Sequence, residues 1–239
     1  MESTGYITLT RQAGLKREMQ VVANNIANSS TTGFRAEGVI FSEYVKSVDG
    51  GPSLSMGQGN VGKTSFEQGG LEQTNGTFDF AIEGDGYFVV QTPLGDRLTR
   101  AGSFSPNAAG ELVTPDGFPV LDNGRAPLFI PAGAGTLSVS ADGTLSMDGN
   151  PLGQMAIVRP LAPNEMVRED GVMFRADAGD EPAEEARVLQ GFTEGSNVNP
   201  LLELSRLIEV QRAYEMGQSF LKTEDERVRA AVKTLTETN

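Results

Sequence analysis

Asn199-Pro200-Leu201-Leu202-Glu203-Leu204-Ser205-Arg206-Leu207 begins the C-terminal part of a 239-residue chain. An asparagine able to cap a helix, followed by a proline that fits its first turn, marks a helix start. From Leu207 an apolar side chain returns every seven positions, at Tyr214, Leu221, Val228 and Leu235. This heptad spacing predicts a long helix with a coiled-coil-like seam. Leu201, Leu204, Ile208, Val210, Ala231 and Val232 widen the stripe, whereas Gln218, Glu224 and Asp225 narrow its flank. A seam this long and narrow requires more than one partner segment to close it.

At the other end, Leu15, Met19, Val22 and Ile26 follow a 4-3-4 spacing within residues 3–28 and form one stripe of an amphipathic helix. Asn28-Ser29-Ser30-Thr31-Thr32-Gly33 ends it, because these side chains compete for backbone hydrogen bonds and glycine accepts a left-handed conformation. Between the ends, residues 47–190 hold 22 of the 29 glycines and 11 of the 12 prolines. Short apolar runs there, among them Phe78 to Ile82, Tyr87 to Gln91 and Met155 to Val158, alternate with turn residues and read as antiparallel strands. Asp142-Gly143 and Asp148-Gly149 are hairpin signals. The expected fold is therefore α+β. N- and C-terminal helices (1–35 and 191–239) form a coiled-coil-like layer, an extended connector covers 36–75, and an inserted antiparallel β domain covers 76–190, with 176–186 as an exposed loop.

Composition narrows the chemistry. The chain has no cysteine and no histidine, which removes disulfides, thiolate nucleophiles and any histidine-centred triad. Its net charge of −13 opposes binding to nucleic acid. That charge is uneven: residues 1–46 carry +1, 47–190 carry −12 and 191–239 carry −2. Near-neutral ends can pack closely against other chains while the acidic middle stays solvated. No apolar run is long enough to span a bilayer as a helix, and the first thirty residues do not read as a cleaved secretory signal.

Short motifs in the middle have plainer readings than catalytic ones. Gly84-Asp85-Gly86 lacks the third glycine and the following helix of a phosphate loop. Asp142 to Asp148 spans strand-like alternation instead of a calcium ligand ladder. Asn28-Ser29-Ser30 and Asn75-Gly76-Thr77 match a glycosylation pattern but serve as a cap and a turn. Carboxylate pairs such as Asp79 with Glu83, or Glu184 with Glu185, are unremarkable among twenty acids in that section. No catalytic, cofactor, metal or small-molecule site is expected.

Three stretches carry a resemblance. Ala23-Asn24-Asn25-Ile26-Ala27-Asn28-Ser29-Ser30-Thr31-Thr32-Gly33-Phe34-Arg35 closely resembles the N-terminal signature of flagellar rod and hook proteins. Ala81 to Val90, followed by Leu98-Thr99-Arg100-Ala101-Gly102-Ser103-Phe104, is similar to that family's β-domain core. Ser196 to Pro200, together with Ile208 to Glu215, is similar to its C-terminal helix signature. Within the family, the Gly5-Tyr6 to Arg11-Gln12 opening and the Arg35-Ala36-Glu37-Gly38 run look most like proximal-rod members, with distal-rod members as the alternative.

The resemblance implies a non-enzymatic axial subunit in the basal-body rod. Such a subunit would pass largely unfolded through the flagellar type III export apparatus and polymerise with copies of itself and other rod proteins. Leu15, Met19, Val22, Ile26, Leu207, Tyr214, Leu221, Val228 and Leu235 are then the expected packing residues. Asn24, Asn25 and Asn28 are candidates for hydrogen bonds to neighbouring chains, although Asn28 also reads as a helix end. A carbohydrate-active enzyme would instead need a concave acidic site, and an adhesin built on the β domain would not need the terminal helices.

Overall fold

The computed structural model describes residues 2–46, 54–133 and 135–237, with side chains described for 8–40, 62–133 and 135–234. The chain separates into two units, one made of Met1–Ala27, Glu37–Ser65 and Asn199–Asn239, the other of Asn28–Ala36 and Phe66–Val198.

The first unit holds α1 (Glu2–Ala27), α2 (Pro200–Glu237), and an antiparallel ribbon of β1 (Glu37–Lys46) and β2 (Leu54–Thr64). At 1.5 Å per residue α2 is about 57 Å long and α1 about 39 Å. The start of α2 is the cap expected from sequence: Asn199 Oδ1 accepts from the backbone N–H groups of Leu201 and Leu202 at 3.1 and 3.3 Å, and Pro200 occupies the first turn.

The two helices run antiparallel, because Asn25 meets Glu203, Glu18 meets Arg206 and Gln12 meets Tyr214. The ribbon lies within the segment 36–75 expected to be an extended connector. Glu37 pairs with Thr64 and Lys46 with Leu54, with a register shift between Ile40 and Phe41. Val39, Ile40, Phe41, Tyr44 and Val45 give β1 strong strand propensity. In β2, whose Gly-, Ser- and Gln-rich sequence hides it, the backbone supplies the pairing.

The second unit is built around β5 (Tyr87–Thr92), which follows β3 (Leu71–Gln73) and β4 (Phe80–Glu83) and turns directly into β6 (Gly95–Thr99). Its six-stranded sheet runs in the order Val167–Glu169, Met173–Arg175, β6, β5, Ile157–Pro160, Asp180–Pro182, with antiparallel pairing throughout. Tyr87-Phe88-Val89-Val90 is apolar without interruption because both faces of β5 are covered. Phe88 and Val90 join Phe80, Ile82, Phe104, Leu112 and Leu145 in one core, while Tyr87 and Val89 join Leu98, Val158 and Phe174 in another.

Two small pairs complete the frame, Arg187–Gln190 with β4 and Phe192–Glu194 with β3. Asp148 and Gly149 both have positive φ, 51° and 83°, and join Met147 to Asn150 as a two-residue hairpin loop. The expected loop at 176–186 contains an edge strand instead. Asp180–Pro182 pairs with Ile157–Pro160, a short acidic strand ending in proline, which suits an edge that must not recruit further strands.

Candidate assembly interface

In the first unit, the face that α1 turns inward is more polar than its apolar stripe predicts. Leu15 and Val22 are buried and Met19 and Ile26 are half-buried, yet Gln12, Glu18 and Asn25 are buried among them. Asn25 is 1% exposed and accepts from the Glu37 N–H at 2.9 Å. Its amide donates to the Glu37 carbonyl at 2.7 Å and to Glu203 at 3.2 Å. The Glu18 carboxylate receives Arg206 Nε at 2.7 Å. Gln12 Nε2 donates to the Tyr214 carbonyl at 3.0 Å.

These three contacts fix which turn of α1 lies beside which turn of α2, as one buried polar residue sets register in a coiled coil. Asn25 is thus engaged within its own chain. Asn24 faces outward. Asn28 ends the helix: its carbonyl accepts from the Thr31 N–H and its side chain from the Thr31 hydroxyl, both at 3.1 Å.

On α2, Leu207, Tyr214 and Leu221 are half-buried, Val210 is buried, and Val228 is 45% exposed. The side chain of Leu235 lies outside the described residues. The falling burial along this heptad has a geometric cause. Gln12 sits beside Tyr214, and α1 begins ten residues before Gln12, so α2 beyond residue 224 runs past the start of α1. A second apolar row, Leu204, Ile208, Met216 and Phe220, is spaced by multiples of four and exposed by 43–67%.

In the second unit, Glu194 is buried between two arginines. Its Oε1 lies 2.8 Å from Arg35 Nη2 and its Oε2 lies 3.1 Å from Arg100 Nη1, and all three side chains are at most 3% exposed. Gly69 N–H also donates to Glu194 Oε1. Arg100 donates onward to the carbonyls of Ile82 at 3.1 Å and Gly84 at 2.6 Å, and Arg35 donates to the carbonyl of Glu67. Arg168 lies between the rings of Phe34 and Phe174, 4.6 and 4.7 Å from their centroids, and donates to the Arg35 carbonyl. Gly33, at φ 71°, presses against the backbone of Arg100 and Ala101, where no Cβ would fit. Asn197 accepts from the Ala36 N–H at 2.6 Å and donates to the Glu67 carbonyl at 2.8 Å.

Burial acts on two groups here. It lowers the Arg100 guanidinium below its ordinary value, with Glu194 opposing the change. It raises the phenol of Tyr87, whose ring lies 5.2 Å beneath Arg100. Sequence reading quoted Arg35 and Arg100 inside motifs but did not pair them, and it missed Glu194. The available signal was an arginine flanked by buried types in Gly33-Phe34-Arg35 and in Leu98-Thr99-Arg100-Ala101.

Residues 6–35 match the model of the flagella basal body rod protein, residues 81–147 that of the flagellar hook protein FlgE/F/G D1 domain, and residues 189–234 that of the flagellar basal body rod FlgEFG protein C-terminal region. The flagellar basal-body rod protein FlgF of Caulobacter vibrioides is 36% identical over the full length of both chains. That of Mesorhizobium japonicum is 37% identical over 98% of each. The chain belongs to the flagellar basal-body rod protein family. The rod protein FlgG of Caulobacter vibrioides matches at 30% over 91% of this chain and 94% of its own, so within one organism the FlgF relative is the more similar. Each of the three rod-family segments contributes one charged member of the buried cluster: Arg35, Arg100 and Glu194.

Proposed function

We propose that this chain is a structural subunit of the proximal flagellar rod, assembling through its terminal helices with copies of itself and with other rod proteins. The observation that carries this reading is the incomplete helix pair. Once α1 is in place, α2 still presents Leu204, Ile208, Met216 and Phe220 and continues beyond its partner with Val228 and Val232 exposed. Burying such side chains contributes about 1.5–3 kcal/mol each, enough to hold a helical assembly through several weak contacts. Leu207, Tyr214, Leu221 and Val228 pack along this seam, with Leu15, Met19, Val22 and Ile26 opposite. Asn24, exposed on α1, contributes a polar contact to a neighbouring subunit.

The protein acts by assembly and not by catalysis, in keeping with a sequence free of histidine and cysteine. The same lack of cysteine lets an unfolded chain travel through the flagellar export apparatus into an oxidising compartment without forming disulfides. Its negative charge disfavours nucleic acid as a partner. The test is removal of residues 200–239, which leaves the second unit whole. The truncated chain is expected in the soluble fraction and absent from purified basal bodies. Its recovery in basal bodies at wild-type stoichiometry would overturn the reading.

A further inference from the structure

The second unit contains eight arginines, no lysine and twenty acidic residues, a net charge of −12. Seven of the arginines are engaged by groups of the same unit, Arg125, Arg159 and Arg175 at its surface. Arg35 and Arg100 bind Glu194; Arg97 and Arg175 bind Glu169; Arg125 binds Asp96 and Asp180; Arg159 binds Glu181; Arg168 lies between two rings. Most of the positive charge is therefore paired with acids of the same unit, which leaves an acidic excess of twelve.

Among the described residues, the most exposed large apolar side chain of this unit is Leu94. The β5–β6 hairpin turns through Pro93 and Leu94, and Leu94 is 80% exposed. Beside it lies a hollow of about 580 Å³ lined by Pro93, Leu94, Phe118, Met173, Arg97 and Asp170, among others. Arg97 spends its charge on Glu169 at 2.6 Å and leaves its aliphatic stem to the wall. Asp170 is exposed at the rim, and Asp116 is exposed in the turn that leads to Phe118.

We propose that this hollow docks a basic segment of a different protein, one that inserts an apolar side chain against Leu94, Phe118 and Met173 and sets its cationic neighbours against Asp170 and Asp116. Charge complementarity selects the occupant. A second copy would bring either another unit of −12 or a first unit of net −1, and neither supplies the positive charge that this acidic surface favours in a partner. An exposed leucine on a proline-stiffened tip loses little conformational freedom when covered, which suits it as an anchor.

The proposal goes beyond the rod reading, and the test separates the two. Leu94 is replaced by the photoreactive p-benzoyl-phenylalanine in flagellated cells, with Asn150, at another exposed hairpin, as the control position. Basal bodies are purified after irradiation. Presence of the chain in them reports on the rod reading alone. The expected adduct at 94 joins a different protein through a peptide of net positive charge, is absent at 150, and falls about tenfold when Asp116→Lys and Asp170→Lys are added. An adduct to a second copy, an adduct to an acidic or neutral peptide, or no adduct from an incorporated chain overturns the proposal. If the probe at 94 prevents incorporation, the same outcomes are read from a probe at Thr92, which lines the same hollow.

Discussion

A Cβ on residue 217 would stand 1.8 Å from Gln12 Nε2, so Gly217 of α2 keeps open the space in which the Gln12 amide reaches the Tyr214 carbonyl. Glycine inside a helix is unfavourable by about 1 kcal/mol relative to alanine. The helix carries that cost at the point where its partner's side chain crosses onto it.

The pair predicts non-additivity. In a Gln12→Ala background, Gly217→Ala is expected to stabilise the helices by about 1 kcal/mol. With Gln12 present the same change gains less or destabilises, with a coupling of about 0.5–3 kcal/mol. Denaturant titration of the helical circular dichroism signal measures all four corners. Additive values would remove the lock.

Replacing Glu194 with glutamine leaves Arg35 and Arg100 buried without a counter-charge. Breaking a buried ion pair in this way costs about 3–5 kcal/mol. The loss is expected in the transition of the β unit, measured by urea unfolding, with the helical transition unmoved. A loss below about 1 kcal/mol would mean that the carbonyls of Ile82, Gly84 and Glu67 satisfy the arginines alone.

Tyr87 gives a pH test with a definite sign. Burial raises its pKa above the 10.0 of the free group, so the folded state keeps the phenol protonated at a pH where the unfolded chain releases it. Its contribution to stability is complete below pH 10 and is lost as pH rises through the higher folded value. Tyr87→Phe is therefore expected to flatten the decline in stability above pH 10, as followed by thermal melts at pH 9, 10 and 11. An unchanged alkaline slope would place the phenol in contact with water.

Val228 separates folding from assembly. Being 45% exposed beyond the reach of α1, Val228→Asp is expected to change the stability of the isolated chain by no more than about 0.5 kcal/mol. Incorporation into basal bodies, scored by immunoblot against wild type, should fall severalfold. Normal incorporation would release the α2 overhang from the interface.

The helices were legible in sequence because their signals are local: Asn199-Pro200 starts one, Asn28 to Gly33 ends the other, and the heptad from Leu207 needs no tertiary knowledge. The uninterrupted apolar run Tyr87 to Val90 likewise announced a strand, although its burial on both faces emerges only from the two cores it joins. The ribbon lay hidden within the expected connector. The β-rich residues of β1 were visible, but Leu54–Thr64 pairs through its backbone, which glycine and serine do not advertise. The polar locks were invisible for a different reason. Gln12, Glu18 and Asn25 look like a solvated helix face until their partners on α2 and at Glu37 are placed. Glu194 looks like one acid among many until Arg35 and Arg100 arrive from positions 159 and 94 residues earlier.

Those separations give the ion cluster a further meaning. Arg35, Arg100 and Glu194 meet only across loops of 94 and 159 residues, and closure over such spans comes late in folding. A chain that stops short leaves two guanidinium groups with no carboxylate to enter the core with them. The cluster thus ties closure of the β unit's core to a carboxylate that lies 159 residues after its first arginine.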